Sequence, residues 1–109
     1  MPGLRDENLL ESALARPRQL LSYTPDADIA ALTAAYGYGL ARNHPYNDGN
    51  KRVAFVVMAV FLGLNGLEFT ASEADVVTTI VALASGEIEE DALADWIRLH
   101  AARRGQESR

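Results

Sequence analysis

With 109 residues the chain has room for one domain, residues 1–109, and its 49% hydrophobic and 23% charged content is that of a folded globule. It contains no cysteine, which excludes disulfides, zinc–thiolate sites and thiol nucleophiles together. Ten Lys and Arg against fifteen Asp and Glu give a net charge of −5, so no general basic footprint for direct nucleic-acid contact is present. The longest apolar run, Val53 to Leu62, falls short of the roughly 20 residues a membrane span needs. The opening MPGLRDENLLES carries no apolar leader stretch, and the expectation is a soluble, cytoplasmic protein.

Apolar spacing predicts helices nearly throughout. Leu9, Leu10, Ala13 and Leu14 mark a first helix over 6–15, with Arg16-Pro17 as its expected end. Residues 20–28, which contain Pro25 and two aspartates, read as a connection. Asp28 is placed to cap a second helix reaching about Asn43, with Ile29, Leu32, Tyr36 and Leu40 on one face and His44-Pro45 as its stop. Tyr46-Asn47-Asp48-Gly49 then form a polar loop, and Asn50 is the expected N-cap of a helix over about 51–64. That helix is apolar almost all round, which assigns it the centre of the bundle.

Asn65-Gly66 ends the central helix, and Leu67-Glu68-Phe69 reads as a brief extended piece. Ser72 with Asp75 resembles a capping box for a helix ending near Ser85-Gly86. A last helix over about 89–102 sets Leu93, Trp96, Ile97 and His100 on one stripe, and Arg103-Arg104 read as a frayed tail. Trp96, Ile97 and Tyr36 are assigned to the core, Tyr38 is left open, and His100 is a part-buried or surface histidine with no ligand spacing around it. The fold class expected is all-α, a compact helical bundle around the 51–64 helix.

One segment concentrates chemistry: His44-Pro45-Tyr46-Asn47-Asp48-Gly49-Asn50-Lys51-Arg52. It sits at a helix start, where unpaired N–H groups and the positive end of the dipole suit an anion. Gly49 permits close approach of backbone to ligand. Lys51 and Arg52 in the first turn oppose the dipole, which makes sense if they face phosphates. Asp48 is a natural magnesium carboxylate beside such phosphates, and His44 titrates near neutrality and can take a proton from an attacking hydroxyl. Together they suggest phosphoryl or nucleotidyl transfer. The same residues also suit a plain connection, because Pro, Asn, Asp and Gly are ordinary turn formers and a histidine can close a helix C-terminus.

The segment HPYNDGNKR resembles the signature of the Fic/Doc (Fido) family, roughly H-x-F-x-D/E-G/A-N-x-R, with Tyr46 in the aromatic place. PGLRDENLLESALARP, AAYGYGLARNHPYNDGNKRVAF and FLGLNGLEF extend the resemblance to the Doc (death-on-curing) branch over nearly the whole chain. Nucleotidyl-transferring members usually carry glycine between the positions of Asn50 and Arg52, whereas Lys51 matches the Doc-type toxins. The resemblance implies a Fic/Doc-like bundle, usually with a further helix ahead of Pro2-Gly3-Leu4-Arg5-Asp6, which this sequence starts without.

It also implies a toxin kinase that uses ATP and Mg2+ to phosphorylate a threonine of elongation factor Tu, and a Phd-type antitoxin as partner. His44 would be the base, Asp48 the metal carboxylate, and Gly49, Asn50, Lys51 and Arg52 the phosphate grip. Two other readings stay open: a Fic-type protein adenylyltransferase, which Lys51 opposes, and a non-catalytic antitoxin-binding module.

Overall fold

The computed structural model describes the backbone of residues 2–43 and 48–105 and the side chains of residues 11–42 and 49–105. Within it, five helices and two short strands follow in order: α1 (Pro2–Tyr23), α2 (Ile29–Asn43), α3 (Asp48–Leu64), β1 (Leu67–Phe69), α4 (Glu73–Ala84), α5 (Glu90–Leu99) and β2 (Ala101–Arg103). The all-α bundle expected from periodicity is the fold observed, and none of its described helices is long and apolar enough to cross a membrane.

The helix packed from the most sides is α2, which contacts α1, α3, α4 and α5. Its sequence explains this: IAALTAAYGYGLARN is built from alanines and glycines, so neighbours approach its backbone closely. Ala34, Ala35, Leu40 and Ala41 are buried, as is Thr33, whose hydroxyl returns to the Ile29 carbonyl at 2.7 Å. A methyl built on Gly39 would lie 3.0 Å from Ala13 Cα of α1, and one on Gly37 would run into Met58 Sδ of α3.

The 51–64 helix does form, but α3 buries a single stripe, Ala54, Met58 and Leu62, while Val53, Val56, Val60 and Leu64 face outward. Its apolar circumference therefore does not place it in the middle. Slimness does that for α2, because a helix touched on four sides needs small side chains on all of them.

The first helix corrects the sequence reading most. Expected over 6–15 with a stop at Pro17, α1 instead runs through Pro17 to Tyr23 and leaves only residues 24–28 as connection. Proline inside a helix forfeits one backbone hydrogen bond and crowds the carbonyl four residues back. Here Pro17 is buried one turn from Ala13, on the face that meets α2, and that packing offsets the loss. Thr24 N–H still donates to Leu20 carbonyl at 2.7 Å, carrying the winding past the last residue.

Asp28 caps α2 as expected, accepting from Ala31 N–H at 2.9 Å. It has a second task that spacing could not reveal: Arg98 of α5 donates to both its oxygens, at 2.8 and 3.0 Å. The Arg98 hydrogen bond, with the cap's N–H adding to it, holds the Asp28 carboxyl below the usual carboxylate range despite some opposing desolvation. Ser72 Oγ accepts from Asp75 N–H at 3.1 Å, the expected start of α4, and Gly86, at φ 87°, lets the chain turn off its end.

The end of the chain also departs from expectation. The last helix stops at Leu99, where His100 N–H donates to the carbonyls of Trp96 and Ile97. Residues 101–103, expected as helix end and tail, form β2 and pair antiparallel with β1, Leu67 opposite Arg103 and Phe69 opposite Ala101. Phe55, Phe69, Trp96 and His100 make a row of rings between α3, the strands and α5, with centroid spacings of 6.2, 6.2 and 4.3 Å. His100 Nδ1 lies 2.9 Å from Trp96 carbonyl oxygen, so the histidine is a part-buried structural residue.

The two glycine contacts separate packing from propensity. Gly39→Ala, which presses on α1 backbone, is expected to destabilise by about 1–3 kcal/mol in denaturant unfolding. Gly63→Ala, whose new methyl meets nothing closer than 3.9 Å, is expected to be neutral or to stabilise by up to about 1 kcal/mol.

Candidate functional site

The chemistry-bearing segment falls at the corner between α2 and α3. Residues 44–47, including His44, lie outside the described residues, as does the Asp48 side chain; Gly49, Asn50, Lys51 and Arg52 lie within them. Asp48 is the first residue of α3, three positions ahead of the expected start. This changes the electrostatics of the corner. Lys51 closes the first turn and Arg52 opens the second, so the dipole opposes Arg52 less than a start at Lys51 would require. The positive end of the helix dipole falls at residues 48–51, which is where an anion would be held.

Asn50 is therefore not an N-cap but an interior residue of the first turn. Its side-chain amide donates to Leu40 carbonyl at 3.2 Å, one of the last carbonyls of α2. This bond fixes the start of α3 against the end of α2. The asparagine thus positions the corner.

Lys51 and Arg52, with Phe55 one turn on, form one wall of a cleft of about 270 Å3, and Glu73, Val77 and Val81 of α4 form the other. Lys51 is part-exposed and Arg52 exposed, so both cationic groups reach the mouth, while the rest of the lining is apolar apart from Glu73. Such a cleft can hold the phosphates of an organic anion at its cationic edge and apolar matter against Phe55, Val77 and Val81. A second cavity of about 320 Å3, lined by Asp28, Ile29, Leu62, Leu67 and Arg98 among others, contains none of the motif residues.

The sequence reading found the cationic wall and missed the other. Phe55 was within reach of it, because residues three and four apart share a helix face. Glu73, Val77 and Val81 also share a face by the same spacing, but nothing local shows that this face turns toward α3. Among the described residues no group of three or more His, Asp or Glu stands where it could enclose a metal ion. Magnesium does not need one, because it is commonly held by one or two carboxylates plus substrate phosphates.

Comparison with known proteins gives this corner a context. The Fic/DOC family pattern matches residues 2–62, which run from α1 almost to the end of α3. The protein kinase doc of Escherichia phage P1 is 32% identical over 98 residues, covering 90% of this chain and 77% of the phage protein. Toxin Doc of Mycolicibacterium smegmatis is 43% identical over 70 residues; the match covers 62% of this chain and about half, 53%, of that toxin.

The Asn50 contact gives a direct test of the corner. Asn50→Ala leaves the Leu40 carbonyl without its donor and is expected to cost about 1–2 kcal/mol in denaturant unfolding. Asn50→Asp, which replaces the donor by an acceptor facing a carbonyl, is expected to cost at least as much.

Proposed function

The chain belongs to the Fic/DOC family, and from that premise we propose that it is a Doc-like toxin whose reaction moves the γ-phosphate of ATP to a threonine hydroxyl of elongation factor Tu. The observation that carries this reading is Lys51, a long cation between Asn50 and Arg52 in the cleft lining, in a place where nucleotidyl-transferring members usually have a glycine. It fills space that a glycine there would leave open beside the nucleotide phosphates and offers a second phosphate contact beside Arg52. The kinase reading is further supported by the name of the phage P1 relative, and the toxin reading by that of the mycobacterial one.

In this mechanism the backbone N–H groups at the head of α3, with Lys51 and Arg52, hold the phosphate chain and neutralise charge that builds on it. His44 accepts the proton of the threonine hydroxyl as its oxygen bonds to the γ-phosphorus. The bond from that phosphorus to the bridging oxygen breaks, and ADP leaves with the electron pair. Magnesium, held by Asp48 and the phosphates, would add positive charge at the leaving group. Phosphoryl transfer asks mainly for positioning and charge neutralisation, and the corner supplies both from residues adjacent in sequence. A Phd-type antitoxin is the partner this reading entails.

Intact-mass spectrometry of elongation factor Tu incubated with the protein, ATP and magnesium tests it. One phosphate-sized addition is expected with the wild type, and His44→Ala is expected to slow its appearance by about 10²–10⁴-fold. Arg52→Ala is expected to weaken nucleotide binding about tenfold or more, since a hydrogen bond to a charged group contributes about 1.5–3 kcal/mol. An AMP-sized addition would overturn the kinase reading in favour of adenylyl transfer.

A further inference from the structure

Tyr38, on α2, lies under two guanidinium groups: Arg16 of α1 stands 4.7 Å from its ring centroid and Arg42, in the last turn of α2, 5.1 Å. Two like charges against one ring repel, and among the described residues a carboxylate compensates only one. Arg16 is ion-paired through Nη2 to Glu90 at the head of α5. Arg42 has no carboxylate partner among the described residues, and its Nη1 is sealed from solvent with no hydrogen-bond acceptor. Arg16 Nε is likewise sealed and unbonded.

A desolvated guanidinium normally finds an anion, because a buried donor without an acceptor loses its hydration and gains nothing in return. Stacking on Tyr38 orients the plane of Arg42 and offsets part of that loss. It gives Nη1 no acceptor, and a guanidinium donor of this kind suits an oxygen of an oxyanion. As a residue Arg42 remains part-exposed, so the group is not enclosed on all sides.

Its position decides which anion. The Asn50 amide bond to Leu40 carbonyl ties the last turn of α2 to the first turn of α3, so Arg42 belongs to the same end of the bundle as Lys51 and Arg52. We propose that Arg42, oriented by Tyr38 and set beside the neutralised Arg16–Glu90 pair, is a further substrate-binding residue that takes phosphate oxygens at this corner. The proposal rests on reading the head of α3 as a phosphate site. It adds a third cation, from α2, to the two that α3 supplies.

The test is calorimetric binding of inorganic pyrophosphate, without magnesium, to the folded full chain as wild type, Arg42→Gln and Arg42→Lys, with melting temperatures recorded alongside. Arg42→Gln is expected to bind about tenfold more weakly or worse, with Arg42→Lys between it and the wild type because it keeps the charge without the fork. Equal affinity in wild type and Arg42→Gln overturns the proposal, whether or not the melting temperature falls. A wild type that does not bind pyrophosphate overturns it too. Should Arg42→Gln fail to fold, Arg42→Lys carries the test: weaker binding than wild type is expected, and equal binding is the contrary result. Pyrophosphate affinity that depends on Arg42 in a protein that phosphorylates nothing would keep this site and remove only the kinase reading.

Discussion

Close approach of three helices to the backbone of α2 is the constraint on which the rest of the molecule depends. Where Gly39 passes Ala13 there is no room for a single methyl group, and Gly37 meets Met58 and Leu93 in the same way. Packing at that separation brings large dispersion and burial gains from small side chains, because every neighbour contacts backbone as well as side chain. It also tolerates the proline inside α1, whose lost hydrogen bond is offset by contacts along the same face. Arg98 and Asp28 then fasten α5 to the head of α2 across 70 positions of sequence.

From this central helix the corner that carries the chemistry inherits its placement. The last turn of α2 meets the first turn of α3 there, and Asn50 bridges the two turns. Lys51 and Arg52 follow at a distance from the helix end where the dipole no longer opposes them strongly, facing a cleft whose other wall is α4. The dipole at the head of α3 and the two cations together set a positive edge on that cleft, with Glu73 the carboxylate of its opposite wall.

How much of this the sequence disclosed depended on whether the responsible forces were local. The caps at Asp28 and Ser72 were legible because a side-chain oxygen and an N–H three residues on are all the interaction needs. HPYNDGNKR was legible for a related reason, since the candidate catalytic groups are adjacent along the chain. Pro17 misled because the packing that retains it comes from α2, and the pairing of 101–103 with 67–69 was invisible because neither three-residue strand has a pattern of its own. The apolar girth of α3 suggested the wrong helix for the middle. Small residues, not apolar ones, mark a helix touched from four sides, and Val53, Val56, Val60 and Leu64 show the difference. Asn50 looked like a cap and a phosphate ligand; its contact with Leu40, ten residues back, appears only once both helices are placed.

The central claim is that the cations at the head of α3 hold a nucleotide so that its terminal phosphate, and not its α-phosphate, is the group transferred. The most direct measurement incubates the protein and elongation factor Tu with ATP labelled at the γ-phosphorus in one sample and at the α-phosphorus in another, and counts label retained on the target. The account predicts label from the γ position alone. Retention of the α label would contradict it, because the grip at Lys51 and Arg52 would then be presenting the other end of the phosphate chain.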